Sequence, residues 1–148
     1  SRYANQKIMT CYIAADHAGY ELKQQIVADY PDMINLGTDS SDPVDYPDFA
    51  RKLADQIKED DFGILICGSG IGICMAANRF KHIRAANCIS IEMTKLAREH
   101  NNANVLCLPG RLLSASEALL IVDTFLSTPF SAESRHQNRI QKMSQLVP

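Results

Sequence analysis

Two kinds of segment alternate along this chain: short apolar runs, and longer stretches in which apolar residues recur every three or four positions. Short runs are typical of strands buried on both faces, and the longer periodicity is typical of amphipathic helices. The apolar runs predict strands at 8–15, 33–36, 62–67, 83–88 and 105–108. The periodic segments predict helices at 20–29, from Pro47 through Ile57, from a turn at 68–72 to about 80, and at 91–101, 114–126 and 133–146.

This alternation predicts a doubly wound α/β fold, a three-layer Rossmann-like sandwich with a five-stranded parallel sheet and an extra C-terminal helix. No linker or repeat divides residues 1–148, so we expect a single domain. In such sheets ligands bind beyond the carboxyl ends of the strands. The loops that follow the strands are therefore the first candidates for chemistry.

Charge and composition exclude several classes of function. Among the 148 residues, 15 Lys and Arg against 17 Asp and Glu give a net charge of −2. This balance offers no excess of positive charge for non-specific binding of nucleic acid or an anionic membrane. No apolar run approaches the ~18 residues of a membrane span, and residues 1–6 are too polar for a secretory signal. We expect a soluble cytoplasmic protein whose residues 1–6 are a disordered or expression-derived tail.

The five cysteines, at positions 11, 67, 74, 88 and 107, are odd in number, and none lies in a CxxC pair. These spacings disfavour a disulfide framework and a zinc site, so we expect no metal. Most of them are typical of small buried hydrophobes. Cys67 differs because it ends a buried strand directly before the glycine-rich turn. A helix N-terminus there would favour the thiolate, so Cys67 is either a core residue or a catalytic nucleophile or base.

The glycine-rich turn at 68–72 fits none of three familiar glycine motifs. A dinucleotide site would need glycine at Ile73, a P-loop would need GKS or GKT, and a nucleophile elbow would need glycine at Cys67. The turn can gather backbone N–H groups into a cradle for negative charge, or it can be a tight turn without a ligand. On the last helix, Arg135 and Arg139 share one face, which suits a phosphate site or a solvated surface.

Five motifs occur in order: 15–19 (ADHAG), 45–48 (DYPD), 67–72 (CGSGIG), 100–101 (HN) and 135–139 (RHQNR). Together they resemble the type B ribose-5-phosphate isomerases, part of a wider family that includes galactose-6-phosphate isomerase. The resemblance extends from about residue 8 to residue 143. It implies an isomerase of the pentose phosphate pathway that interconverts ribose 5-phosphate and ribulose 5-phosphate through a cis-enediolate, without metal or organic cofactor.

The resemblance also implies individual roles. Cys67 would move the proton between C1 and C2, and Ser69 with the backbone amides around it would hold the enediolate oxygen. Asp16 and His100 would open the sugar ring, with His100 as proton donor. The remaining predicted site residues would bind substrate: Gly68, Gly70, Ile71 and Gly72 in the turn, Tyr46 and Asn101 at the sugar, and His17, Arg111, Arg135 and Arg139 at the phosphate.

Members of that family are homodimers or tetramers whose sites are shared between subunits. We therefore expect a sugar phosphate as the small-molecule partner and a second copy of this chain as the protein partner. His100, Asn101 and Arg111 are expected to meet Cys67 across a two-fold interface.

Three alternatives remain open at this point. A hexose-6-phosphate isomerase acting on allose or galactose 6-phosphate would use the same chemistry. A phosphosugar-binding module would bind without turnover, and a cysteine hydrolase would combine Cys67 with His100 and Asn101. In the galactose enzyme the catalytic residues are divided between two different subunits. This single chain contains all of them: Cys67, His100, Arg135 and Arg139. The pentose isomerase is therefore favoured.

Overall fold

The computed structural model describes residues 9–146, and its elements follow the predicted alternation. The strands are β1 (Cys11–Ala15), β2 (Ile34–Asn35), β3 (Phe62–Cys67), β4 (Ala85–Asn87) and β5 (Val105–Pro109). The helices are α1 (Tyr20–Asp29), α2 (Tyr46–Gln56), α3 (Ile71–Ala77), α4 (Ile91–Asn101), α5 (Ala115–Ser127) and α6 (Ser134–Ser144).

The strands form one parallel sheet in the order β2-β1-β3-β5-β4, which confirms the predicted fold class. Helices α1, α4 and α5 pack on one face of this sheet, and α2 and α3 pack on the other. Right-handed crossovers produce this distribution. Helices α1 and α4 connect each strand to a neighbour on the β2 side of the sheet, whereas α2 and α3 connect strands in the direction of β4, so the two pairs lie on opposite faces. The extra helix α6 lies against α4.

The central strand β3 positions the candidate site. All six of its residues are buried, as expected for a strand covered on both faces. The helix that leaves β3 lies on the opposite face from the helices that leave its neighbours β1 and β5. A crevice therefore opens on each side of the carboxyl end of β3, and Cys67 lies between the two.

Two element boundaries differ from the prediction because of one asparagine. Helix α3 ends at Ala77 rather than near residue 80, and β4 has only three residues. The side-chain amide of Asn78 donates to the carbonyl of Ala85 at 2.9 Å and accepts the N–H of Ala85 at 2.8 Å. Asn78 thus pairs with the free edge of β4, and the chain leaves the helix there.

Smaller differences concern the chain ends and α2. Pro47 is the second residue of α2 rather than the first, since Asp45 is the N-cap. The predicted start of the first strand at residue 8 and the predicted tail at 1–6 lie outside the described residues. Between residues 9 and 146, no helix has the length and apolarity needed to cross a membrane.

Helix α5 begins with a capping box, which generates a stability prediction. The Ser114 hydroxyl accepts the N–H of Glu117 at 3.2 Å, and the Glu117 carboxylate accepts the N–H of Ser114 at 3.1 Å. Ser114→Ala should lower the free energy of unfolding by about 1 kcal/mol, because it leaves a helix N–H without its partner. Urea unfolding followed by circular dichroism measures this. The control Ser116→Ala should change stability by less than about 0.5 kcal/mol, and equal values for the two variants would contradict the assignment.

Candidate active site

The loops that follow β1, β3 and β5 meet in a cleft of about 570 Å³ at the carboxyl edge of the sheet. The cleft is lined by Asp16, Tyr46, Cys67, Gly68, Ser69, Ile71, Gly72, Arg111 and Leu112. Every lining residue except Leu112 belongs to the set predicted from the sequence. A cleft of this volume suits a small metabolite.

Backbone hydrogen bonds hold the loops after β3 and β5 together. The N–H of Gly110 donates to the carbonyl of Cys67 at 2.8 Å, and the N–H of Arg111 donates to the carbonyl of Gly68 at 3.1 Å. The loop after β1 approaches just as closely, since a Cβ on Gly110 would lie 2.7 Å from the carbonyl oxygen of Ala18. The three loops therefore form one rigid rim around the end of β3.

Cys67 lies in the wall of the cleft and is only 4% exposed. The guanidinium of Arg111 lies beside the following residue, with Nη1 3.3 Å from the place that a Cβ on Gly68 would take. Tyr46 covers the next part of the turn, where a Cβ on Gly72 would lie 2.6 Å from the ring. The positive charge of Arg111 at the glycine-rich turn makes this cleft suitable for an anionic ligand. Among residues 9–146, no group of three or more His, Cys, Asp or Glu side chains is placed to hold a metal ion.

The expected grouping of Arg111 with His100 and Asn101 is wrong. Arg111 follows β5 and shares the cleft with Cys67 of its own chain. Within one chain Arg111 is also separate from Arg135 and Arg139, because those two residues lie on α6, which packs against α4. The predicted anion-binding residues therefore form two groups on each chain rather than one.

Asp16 and His17 follow β1 and are held by backbone amides. The Asp16 Oδ1 atom accepts the N–H of Ala18 at 2.9 Å and that of Gly19 at 3.2 Å, which fixes the carboxylate. The His17 Nδ1 atom accepts the N–H of Val44 at 3.1 Å. A ring nitrogen that accepts carries no proton, so the neutral ring has its proton on Nε2, where it can donate to a ligand.

The glycine-rich turn is closed tightly around Gly70. This residue has φ of +75°, and a Cβ on it would lie 2.5 Å from Asn87 Oδ1 and 3.1 Å from the backbone nitrogen of Pro109. The Ser69 hydroxyl accepts the N–H of Ile71 at 3.1 Å, at the point where α3 begins. The turn thus needs glycine for both its conformation and its space.

His100 and Asn101 lie at the opposite edge of the sheet from Cys67. Helix α4 connects the carboxyl end of β4 to the amino end of β5, so it runs antiparallel to the strands and its last residues lie at the amino edge. Asn104, which follows this helix, accepts the N–H of Gly63 at the start of β3. The length of β3 separates the two groups by roughly 15 Å. Within one chain, therefore, His100 and Asn101 do not share the cleft with Cys67.

Helix α6 adds a residue whose role the sequence did not indicate. The rings of His100 and His136 stack face to face, with centroids 4.4 Å apart and planes inclined by 14°. Burial and the nearby charge of Arg135 lower the pKa of His136, which favours the neutral form of this ring. The His136 ring therefore stacks on His100 without adding a positive charge. From the sequence, His136 was assigned no role in the site. Its place inside the RHQNR motif was a signal that His136 could belong to the site. Its stacking on His100 depends on tertiary structure, so the sequence alone does not indicate it.

The tight turn generates a prediction that compares two glycines. Gly70→Ala should lower the free energy of unfolding by at least ~2 kcal/mol, because a side chain there is strained at positive φ and meets backbone atoms. Gly68→Ala is the matched control and should cost much less, since its nearest contact is the flexible end of Arg111 at 3.3 Å. Denaturant unfolding of both variants measures the difference. Equal stabilities would show that the turn tolerates side chains at Gly70.

Comparisons with known proteins agree with this geometry. A model of the family described as Ribose/Galactose Isomerase matches residues 11–143. A Mycoplasma genitalium protein named probable ribose-5-phosphate isomerase B is 45% identical over 141 residues, covering 89% of this chain and 91% of that protein. Ribose-5-phosphate isomerase B of Mycolicibacterium paratuberculosis is 43% identical over 147 residues, covering 93% and 91%.

Solved structures show the same relationship. A ribose 5-phosphate isomerase from Thermotoga maritima has a TM-score of 0.88 and 48% identity, covering 94% of this chain and 99% of that one. The Mycoplasma genitalium enzyme, solved with bound ribulose 5-phosphate, has a TM-score of 0.88 and 43% identity, covering 93% and 95%. The resemblance carried by the five motifs is confirmed: the chain belongs to the ribose/galactose isomerase family.

Proposed function

We propose that this protein interconverts ribose 5-phosphate and ribulose 5-phosphate, with Cys67 as the base. The observation that carries the proposal is the position of Cys67, buried at the end of the central strand in a cleft whose glycine turn and Arg111 favour an anion. The relative solved with ribulose 5-phosphate supports the choice of substrate.

Isomerisation is a proton transfer between neighbouring carbons. The Cys67 thiolate removes the proton from C2 of the open-chain aldose, the C–H electron pair forms the C1–C2 double bond, and the C1 carbonyl oxygen becomes the enediolate oxygen. The proton on the C2 oxygen passes to the C1 oxygen, and return of the carbon-derived proton from Cys67 to C1, as the C2 carbonyl forms, yields the ketose. The substrate gains and loses no electrons overall, so the step needs no redox cofactor. A well-placed base contributes ~10²–10⁴-fold to such a transfer.

Groups of the same cleft stabilise the enediolate and hold the sugar. The Ser69 hydroxyl and the amides of the turn offer hydrogen-bond donors to the developing negative charge. One preorganised donor of this kind is worth ~3–4 kcal/mol in the transition state. Tyr46, packed against Gly72, lines the sugar side of the cleft.

Ribose 5-phosphate must leave its furanose form before the proton transfer. The Asp16 carboxylate, held by two backbone amides, takes the proton of the C1 hydroxyl. His100, supported by the His136 ring, donates a proton to the ring oxygen, and Asn101 binds sugar hydroxyls.

These roles require His100 beside Cys67, although one chain holds the two at opposite edges. We propose a homodimer or tetramer in which His100, Asn101 and the two α6 arginines of one subunit complete the cleft of another. The phosphate would then lie between His17 and Arg111 of one subunit and Arg135 and Arg139 of its partner. Exposed apolar side chains at the rim, Ile71 at 52% and Leu112 at 71%, support a covering partner.

Removal of the base thiol gives the first test of this function. Cys67→Ala should reduce both ketose formation and deuterium incorporation from heavy water at C2 by at least ~10²-fold, because no other group replaces the base. Calorimetric binding of ribose 5-phosphate should persist. Cys88→Ala, which removes a buried thiol on the other face of the sheet, should retain activity. Full activity of Cys67→Ala would reject the base, and wild-type turnover only of allose or galactose 6-phosphate would reject the pentose substrate.

A mixing experiment tests the shared site. Cys67→Ala and His100→Asn should each be inactive alone, and mixing them with subunit exchange should restore about a quarter of wild-type activity. Half of the dimers are then mixed, and in each of these one of the two sites combines the intact Cys67 with the intact His100. A mixture of Cys67→Ala with Arg111→Ala is the control and should stay inactive, because both residues line the same cleft of one chain. Failure of the first mixture to recover activity would contradict sharing.

A further inference from the structure

Lys23 of α1 is fully buried, which is unusual for a charged side chain. Its ammonium donates to the side-chain oxygen of Gln24 at 2.8 Å and to that of Asn35 at 3.0 Å, and it lies 5.4 Å from the centre of the Tyr20 ring. Burial lowers the pKa of Lys23, although the charge of Asp39 opposes this effect. An apolar side chain would fill this place at a lower cost, because an ammonium loses its water on burial. The position therefore points to a need for the hydrogen bonds that Lys23 makes.

Asn35 connects the Lys23 ammonium to the β2–α2 loop, residues 36–45. Besides the ammonium, the Asn35 Oδ1 atom accepts the backbone N–H of Gly37 at 2.9 Å. The carbonyl of Gly37 in turn accepts the N–H of Ala15 at 2.8 Å. Three consecutive hydrogen bonds thus link the buried ammonium to the last residue of β1.

The β2–α2 loop reaches the candidate active site at both of its ends. Its near end pairs with Ala15, the residue directly before Asp16. Near its far end, the N–H of Val44 donates to the His17 Nδ1 atom at 3.1 Å. Strand β2 holds the near end only weakly, since it has two residues and lies at the edge of the sheet. The hydrogen bond from Lys23 therefore adds a constraint that the strand does not supply.

We propose that Lys23 is a positioning residue for the active site: through Asn35 it clamps the β2–α2 loop to the end of β1 and so holds Asp16 and His17 in place. The roles of Asp16 and His17 are those of the proposed function, on which this assignment rests. Lys23 lies outside the cleft lining, so it acts through the loop and not on the substrate. A methionine would keep the length and the apolar stem of Lys23, but Asn35 would lose one of the two donors that fix its oxygen.

Amide hydrogen exchange followed by NMR tests the clamp without measuring isomerisation. In Lys23→Met, the N–H groups of Gly37 and Val44 should exchange at least about tenfold faster than in the wild type, because a hydrogen bond from a charged donor is lost where the loop begins. The amides of β3 should keep their wild-type rates, since the core of the sheet is unchanged. Lys52→Met is the matched control: it removes an exposed ammonium that lies over the Phe49 ring and should change none of these rates.

Variants of Asn35 test whether Lys23 acts through this residue. Asn35→Ala should speed the exchange of Val44 as Lys23→Met does, whereas Asn35→Asp keeps an acceptor for both donors and should exchange at the wild-type rate. Turnover of ribose 5-phosphate is the second measurement. Lys23→Met and Asn35→Ala should each lower kcat/KM by about tenfold, and the double variant should lose no more than either single one. Two residues that act independently would instead lose about a hundredfold together.

Three results would overturn the assignment of Lys23: unchanged exchange at Gly37 and Val44 in Lys23→Met, an equal rise at the amides of β3, or losses of kcat/KM that add in the double variant. An equal rise everywhere would show only a general loss of stability. A wild type that does not turn over ribose 5-phosphate would reject the proposed function, and the exchange rates would still decide whether Lys23 holds the loop. Circular dichroism confirms that each variant is folded. If Lys23→Met is not, Asn35→Ala decides the matter, because it alters an exposed residue.

Discussion

The site depends on direct backbone contact between three loops at the carboxyl edge of the sheet. A Cβ on Gly19 would lie 2.7 Å from the carbonyl oxygen of Ile66, and one on Gly110 would lie 2.7 Å from that of Ala18. Neither glycine leaves room for a side chain, because the atoms that it would meet include backbone atoms that cannot rotate away. These contacts fix the end of β3, and Cys67 with it, against both neighbouring loops. Proton transfer at carbon needs such fixed placement, since a misplacement of about 1 Å can cost ~10²-fold in rate.

The separation of His100 from Cys67 within one chain follows from the parallel topology of the sheet. In a parallel sheet every crossover helix runs antiparallel to the strands, so the end of α4 lies at the edge opposite the ends of β1, β3 and β5. No local rearrangement of one chain can bring His100 to Cys67 across the sheet. Two-fold symmetry removes the difficulty, because each copy presents both halves and one interface can complete two sites. The fold thus makes oligomerisation a condition of the proposed chemistry rather than an addition to it.

Local signals explain which parts of the structure could be predicted from the sequence. The bounds of α1, β3 and α4 agree with prediction because an apolar run or a helical period defines each within its own residues. The end of α3 depends on Asn78 pairing with β4, a contact between segments that no local pattern reveals. For the same reason the resemblance indicated Arg111 and the RHQNR motif contained His136, but neither indicated which residues would lie beside them. The cleft beside Cys67 and the stack on His100 exist only after the chain has folded.

A net charge of −2 is compatible with a phosphate site because the α6 arginines are neutralised only weakly. Arg135 forms an ion pair with Glu133, and both side chains are more than half exposed. Exposed pairs of this kind contribute ~0–1 kcal/mol, so a phosphate dianion, with more charge and more acceptor oxygens, can displace the Glu133 carboxylate. Burial and Arg135 hold His136 neutral, which leaves the positive charge of this group on the arginines. The carboxylate of Glu133 thus pairs with Arg135 in the free chain and can move aside for the phosphate of the proposed function.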